Sequence, residues 1–148
     1  MPERSVYLDT SAIVKRYIPE EGSDAIDSVY NDAQIGEHNI CFSILNIGEV
    51  TGVLGKYERK NKLKEESIVK SFADETARMK NSGSVEIVSV DDELVINSLQ
   101  YVVRHHIYIF DALQITSCRK SGSIRLFTGD ENLYKASKKE GLDSVYLK

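Results

Sequence analysis

Four acidic side chains in widely separated parts of the sequence could together do chemistry. They are Asp9, Glu49, Asp111 and Asp130. Carboxylate oxygens are preferred ligands of Mg²⁺ and Mn²⁺, and such an ion lowers the pKa of bound water for attack on a phosphodiester. One pair of carboxylates ~4 Å apart repels by about 4 kcal/mol at an effective dielectric near 20, whereas one helix cap returns about 1 kcal/mol. If the four acids meet, a bound cation explains the cluster and helix capping does not.

Three of these acids also have a local explanation. Asp9 and Asp130 each follow a predicted strand and precede a predicted helix, so each could simply cap that helix. Asp111 could begin a capping box that Gln114 completes, because the spacing is right. On local grounds, capping and metal binding both remain open for these three residues.

Glu49 has no such local explanation. Its neighbours four residues away on a predicted helix are Leu45 and Val53, which form an apolar stripe with Val50 and Leu54. We therefore expect the Glu49 carboxylate to point toward the core or along its edge, with no Lys or Arg three or four residues away. Burying an ionised carboxylate is costly unless the group is paired or binds a metal.

Smaller polar and basic residues near the acids are candidates for supporting roles. Thr10, Ser11 and Thr128 could steady carboxylates or waters, although capping explains them equally well. Lys15 and Arg16 are candidate phosphate contacts. The sequence shows no convincing Ser/His/Asp or Cys/His arrangement, so we expect no protein nucleophile.

Composition and charge narrow the class of protein. The 148 residues fit one domain, and the net charge of −4 argues against broad, sequence-independent binding to phosphates. A polyanion would need bound metal or a local basic patch such as 56–64, although a solvated helix face is the commoner reason for such a patch. No signal peptide or membrane span is evident, and two distant cysteines suggest free, buried thiols in a cytoplasmic protein.

The order of predicted elements tells how the acids are positioned. The predicted strands cover 5–8, 39–43, 85–90, 124–128 and 145–147. The predicted helices cover 12–18, 23–32, 45–60, 63–80, 91–104 and 111–121, with a last one starting at 130. Such alternation predicts a parallel sheet covered by helices on both faces. Ligand sites in such sheets lie at the carboxyl ends of strands, which is where Asp9 and Asp130 stand.

The segments around the four acids resemble one known family. YLDTSAIVKRY at 7–17, followed by PEEGS at 19–23, is similar to the N-terminus of PIN-domain proteins and most similar to that of VapC-type toxins from toxin–antitoxin pairs. Further similar segments are IGEV at 47–50, FDALQ at 110–114 and LFTGD at 126–130. The resemblance runs in order over nearly the whole chain. This sequence departs from the family pattern at Gln114, where the family often has His, and at Gly129, which precedes the fourth acid.

The resemblance implies a PIN-like three-layer α/β/α sandwich with a parallel five-stranded sheet, made by a single domain over residues 1–148. It also implies an endoribonuclease toxin that depends on Mg²⁺ or Mn²⁺, with Asp9, Glu49, Asp111 and Asp130 as catalytic residues and metal ligands. The implied partners are RNA, a VapB-like antitoxin and a second copy of the chain in a homodimer, with no membrane. The alternative function is a non-catalytic PIN-fold module for binding or assembly.

Overall fold

A five-stranded, wholly parallel sheet forms the middle layer of the protein. The computed structural model describes residues 4–62 and 67–148. Its strands are β1 (Ser5–Leu8), β2 (Asn39–Ser43), β3 (Val85–Val88), β4 (Arg125–Thr128) and β5 (Ser144–Tyr146). The spatial order is β3-β2-β1-β4-β5, and every neighbouring pair is parallel. The short apolar runs of β1 and β2 are typical of strands that are buried on both faces.

Helices cover both faces of the sheet. The described part of the chain contains α1 (Thr10–Val14), α2 (Ser23–Gln34), α3 (Ile44–Asn61), α4 (Ile68–Asn81), α5 (Asp92–His105), α6 (Ile109–Ser121) and α7 (Glu131–Lys139). Because successive strand residues point to opposite faces, Val6 and Leu8 pack with α1 to α4 while Tyr7 packs against Cys118 of α6. Helices α5 and α7 pack against α6 on that second face. The predicted three-layer α/β/α sandwich is confirmed.

The strands β1 and β4 are neighbours at the point where the chain connections reverse direction. From β1 the chain crosses to β2 and β3 on one side, and it later returns to β4 and β5 on the other side. The register pairs Leu8 with Phe127, and the Asp9 N–H donates to the Phe127 carbonyl at 3.3 Å. The ends of β1 and β4 therefore lie side by side, at the position where open α/β sheets form ligand crevices.

The predicted elements agree with the structure in order and type, and the differences lie at their ends. The first helix ends at Val14 rather than Ile18, and tight turns with i to i+3 hydrogen bonds continue the chain through Tyr17. The helix predicted from residue 63 begins at Ile68, after Ser67 caps it. Residues 63–66, with part of the predicted basic patch, lie outside the described residues, as do residues 1–3.

Both cysteines are free and buried, as predicted from their separation in the sequence. Cys41 and Cys118 pack with Tyr7 and Leu126 between the sheet and α6. Burial raises the pKa of the Cys118 thiol to about 12, so this thiol stays protonated and unreactive at neutral pH. Separately, among residues 4–62 and 67–148 we find no helix with the length and apolar character that crossing a membrane needs.

Candidate metal centre

All four predicted acids line one cleft at the carboxyl ends of β1 and β4. The cleft has a volume of about 400 Å³, and its acidic lining residues are Asp9, Glu20, Glu49, Asp111 and Asp130. No basic side chain of the described residues lines this cleft. Glu20 is a fifth acid that the sequence reasoning did not single out. The acids come from five separate segments, so the structure brings together carboxylates that local helix capping alone would leave dispersed.

Asp9 is the most buried of the four acids, and three donors hold it. Its Oδ1 accepts from Ser11 Oγ at 2.7 Å and from the Ala12 N–H at 2.9 Å, while its Oδ2 accepts from Thr128 Oγ1 at 2.5 Å. Burial raises the pKa of Asp9 to about 6, although these hydrogen bonds act in the opposite direction. Asp9 therefore caps α1 and lines the cleft at the same time.

Asp130 likewise combines a helix cap with a place in the cleft. Its Oδ1 accepts from the N–H groups of Asn132 and Leu133 at 2.8 and 3.2 Å, at the start of α7. Its own N–H donates to Thr128 Oγ1 at 2.9 Å. Because Thr128 also donates to Asp9, this one buried hydroxyl fixes the two acids relative to each other.

Glu49 lies at the exposed rim of the cleft. Of the two orientations predicted from the sequence, toward the core or along its edge, the one toward the core is wrong. The buried side chains of the first turns of α3 are Asn46, Val50 and Leu54. Helix α3 leaves the carboxyl end of β2, so the side that carries Glu49 borders the cleft instead of the core. Thr10 Oγ1 donates to Glu49 Oε1 at 2.7 Å, and Asn46 Nδ2 donates to Thr10 Oγ1 at 3.0 Å.

Asn46 is a site residue that the sequence reasoning missed. It is fully buried, it completes the capping box of Ser43, and it lines the cleft beneath Glu49. The sequence does contain a feature that could have identified Asn46. Its amide side chain stands one turn before Glu49, at a position that continues the apolar stripe of Val50 and Leu54.

Asp111 lies inside the first turn of α6, so the capping box predicted for it is not formed. The residue that caps α6 is Tyr108, and among the described residues no donor bonds to the Asp111 carboxylate. Burial and the negative charges of Asp130, Asp9 and Glu49 raise the pKa of Asp111 to about 6. Of the four predicted acids, Asp111 is the one without a hydrogen-bond partner in the described residues.

We expect Asp111→Asn to stabilise the metal-free protein at neutral pH. Since the folded pKa of about 6 exceeds the ordinary 3.8, the native state binds the proton more tightly, and this stabilisation is lost as the pH rises through 6. Asp111 is half-buried, so solvent screening limits the gain at pH 7 to roughly 1 kcal/mol, or about 2–4 °C in Tm. Thermal melts in chelator should show this gain at pH 7 and almost none at pH 4. A marked loss of stability at pH 7 would instead assign Asp111 a structural role.

The donor set of the cleft fits a hard divalent cation. Carboxylate and hydroxyl oxygens are the ligands that Mg²⁺ and Mn²⁺ favour, and a bound cation would relieve the repulsion that raises the pKa of Asp111. With the side chains in their present positions, no three Asp, Glu, His or Cys groups of the described residues are arranged to hold one ion. Hydrogen bonds turn Asp9, Glu49 and Asp130 toward neighbouring hydroxyl and N–H groups, so binding an ion requires carboxylates to rotate.

The two basic residues predicted to contact phosphate have carboxylate partners. Lys15 is buried, and its Nζ donates to Glu20 Oε1 at 3.0 Å. Arg16 lies outside the cleft, where it donates to Glu75 at 3.0 and 2.8 Å and to Asp27 at 2.9 Å. The structure therefore does not bring Arg16 to the four predicted acids of the cleft. A phosphate contact by either residue stays a prediction, and it would require breaking these ion pairs.

Gly129 leaves room for the buried Lys15 side chain. A Cβ at position 129 would lie 3.2 Å from Lys15 Cε and 3.4 Å from Ser11 Oγ. The Gly129 N–H donates to Ser11 Oγ at 2.7 Å, so the backbone approaches the hydroxyl that holds Asp9. A side chain at position 129 would therefore require Lys15 to shift by a few tenths of an ångström.

Sequence comparison decides the family. The chain matches the PIN domain family over residues 6–139, which is most of its length and includes all four acids. The chain belongs to the PIN domain family. No curated protein sequence matches this PIN domain significantly.

Solved structures with the same fold include VapC toxins. VapC20 of Mycobacterium tuberculosis, described as a sarcin–ricin loop cleaving toxin, aligns with a TM-score of 0.65 at 16% identity over 88% of this chain and 94% of its own. VapBC2 of Rickettsia felis, bound to a promoter DNA fragment, gives 0.64 at 15% identity over 97% and 99%. PAE2754 of Pyrobaculum aerophilum gives 0.61 at 19% identity over 96% and 84%. Because the three identities are only 15–19%, these similarities show that this PIN domain shares the fold and no more.

Proposed function

We propose that this PIN domain is an endoribonuclease that depends on Mg²⁺ or Mn²⁺. The observation that carries the proposal is the cleft beside β1 and β4, lined by five carboxylates and by no basic side chain of the described residues. A bound ion would supply water of lowered pKa and positive charge for the developing oxyanion. The residues that would hold it are Asp9, Glu49, Asp111 and Asp130.

The chain's own hydroxyl groups would orient these acids. Thr128 and Ser11 hold Asp9, and Thr10 holds Glu49, so these three are the proposed supporting residues. Asp9 and Asp111 are the proposed direct ligands, because both line the cleft and no donor of the described residues bonds to the Asp111 carboxylate.

RNA is the substrate that we propose. VapC20, which has the same fold, is described as a toxin that cleaves the sarcin–ricin loop. The chain has a net charge of −4 and its cleft is acidic. The attraction of polyanionic RNA would therefore come mainly from the bound metal. The alternative, a non-catalytic binding or assembly module, would leave this cluster of carboxylates without a role.

We also propose a VapB-like antitoxin and a homodimer. VapBC2 of Rickettsia felis shares the fold and was solved with promoter DNA. If the proposal is right, the product of an adjacent gene that encodes a small DNA-binding protein should co-purify with this chain. Light scattering should give twice the 16.7 kDa of one chain. A cytoplasmic location follows from the proposed substrate, and cell fractionation tests it.

The direct test is cleavage of RNA by the purified protein. Ribosomal RNA and total RNA are incubated with the protein in Mg²⁺, in Mn²⁺ and in excess chelator, and the products are separated by electrophoresis. We expect discrete cleavage with either metal and none in chelator. Cleavage that persists in chelator would contradict the metal assignment. Metal binding without cleavage of any RNA would favour the non-catalytic alternative.

A further inference from the structure

Within residues 4–62 and 67–148, the Asp111 carboxylate is an acceptor that lacks a donor. The other three predicted acids each accept at least one hydrogen bond: Asp9 from two hydroxyls and an N–H, Glu49 from Thr10, and Asp130 from two N–H groups of α7. For Asp111 the described residues provide no such bond. A metal ligand is normally oriented by a hydrogen bond to its second oxygen, so the Asp111 side of the cleft lacks a feature that the other sides have.

Gln114 is a donor that lacks an acceptor, and it lines the same cleft. Its side chain is 3% exposed, and its Nε2 is buried without a hydrogen-bond partner in the described residues. Its Oε1 accepts from the Tyr7 hydroxyl at 2.8 Å. Leaving a buried amide N–H unbonded is unfavourable, so its position beside the acids needs a functional or structural reason.

The Tyr7 hydroxyl faces the oxygen end of the Gln114 amide. Tyr7 is fully buried, and its hydroxyl donates to Gln114 Oε1. With the amide oxygen facing Tyr7, the Gln114 Nε2 is left for another partner. The same hydroxyl lies 3.4 Å from Asn46 Oδ1, so Tyr7 touches the amides on both walls of the cleft.

We propose that Gln114 positions Asp111 for metal binding, by donating from Nε2 to one Asp111 oxygen while the other oxygen faces the ion. The two residues are three apart on α6, a spacing at which side chains are neighbours and Gln–Asp hydrogen bonds form. This inference rests on the proposed metal-dependent function.

Ser117 is the competing partner for Gln114, because its buried Oγ also has no hydrogen-bond partner in the part of the chain that the structure describes. It lies one turn further along α6, in the C-terminal direction. Side chains on a helix lean toward its N-terminus, which directs Gln114 toward Asp111 and away from Ser117. On the opposite wall a similar chain already exists, because the Asn46 amide donates to Thr10 and Thr10 donates to Glu49.

The test is Mn²⁺ binding to the full chain by calorimetry, without any activity assay. Gln114→Leu removes the donor and should weaken Mn²⁺ binding by about 10-fold or more. Gln114→His should stay within about 3-fold of the wild type, because a neutral imidazole offers one acceptor to Tyr7 and one donor to Asp111. Gln34→Leu makes the same chemical change on α2, outside the cleft, and should leave the affinity unchanged.

Two results with the variants would overturn the inference. One is wild-type affinity in Gln114→Leu, and the other is an equal loss of affinity in Ser117→Ala, which would make Ser117 the relevant partner. If Gln114→Leu does not fold, the wild type still provides the test: Mg²⁺ should shift the side-chain amide resonances of Gln114 in NMR spectra and leave those of Gln34 in place. Unshifted Gln114 resonances would overturn the inference. A wild type that binds no metal would overturn the proposed function, and this inference with it.

Discussion

Asp9→Asn should abolish metal-dependent RNA cleavage and leave the fold intact. The substitution preserves the shape of the side chain, and an Asn oxygen can still accept from Ser11 and Ala12, so the cap of α1 survives. It removes one negative charge from the most buried of the proposed ligands. Loss of metal-derived charge stabilisation, worth several kcal/mol, corresponds to a fall in rate of at least ~100-fold.

A matched control for this variant is Asp91→Asn. Asp91 caps α5 by accepting from the Leu94 N–H at 2.9 Å, which repeats the hydrogen bond between Asp9 and Ala12, but it does not line the acidic cleft. Single-turnover cleavage rates in Mn²⁺ and Tm values in chelator should be measured for both variants. The Asp91 variant should cleave like the wild type. An Asp9 variant that does so too would refute the proposed site.

Arg16→Met should cost about 3 kcal/mol of stability without changing metal affinity. The guanidinium bonds both oxygens of Glu75, bonds Asp27, and lies 4.8 Å from the centre of the Tyr30 ring. Burial pushes the pKa of Glu75 upward, but hydrogen bonds from Arg16 and Tyr17 outweigh this effect and hold that pKa below its usual value. Removing one partner of a buried pair leaves the other charge uncompensated, at a cost near the lower end of 3–5 kcal/mol because Arg16 is partly exposed.

Thermal and denaturant unfolding of a double-mutant cycle test this expectation. Arg16→Met should lower the Tm by roughly 6–12 °C, and adding Glu75→Gln should restore part of the loss, because the uncompensated charge is then gone. The control is Lys70→Met on α4, where the exposed Lys70–Asp74 pair should contribute less than about 0.5 kcal/mol. A stable Arg16→Met variant with weakened RNA binding would instead support the phosphate contact predicted from the sequence.

The sequence alone determined the elements and the identity of the acids, because both depend on local patterns. Short apolar runs such as the one before Asp9 predict buried strands, and polar residues that follow them predict helix starts. Asp9 and Asp130 could therefore be placed at the carboxyl ends of two parallel strands. For Asp9 and Asp130, capping and metal binding were both open from the sequence, and the structure shows that each residue caps a helix and also lines the cleft.

The tertiary structure decided which residues share a site, because those contacts join parts of the chain that local patterns cannot relate. That β1 lies beside β4 depends on the strand order, and only this pairing puts Thr128 between Asp9 and Asp130. Glu49 lies on an exposed face of α3 because of where this helix leaves the sheet. Arg16 bonds Glu75, 59 residues away, and a charged side chain is neutralised by whichever partner the fold brings within reach.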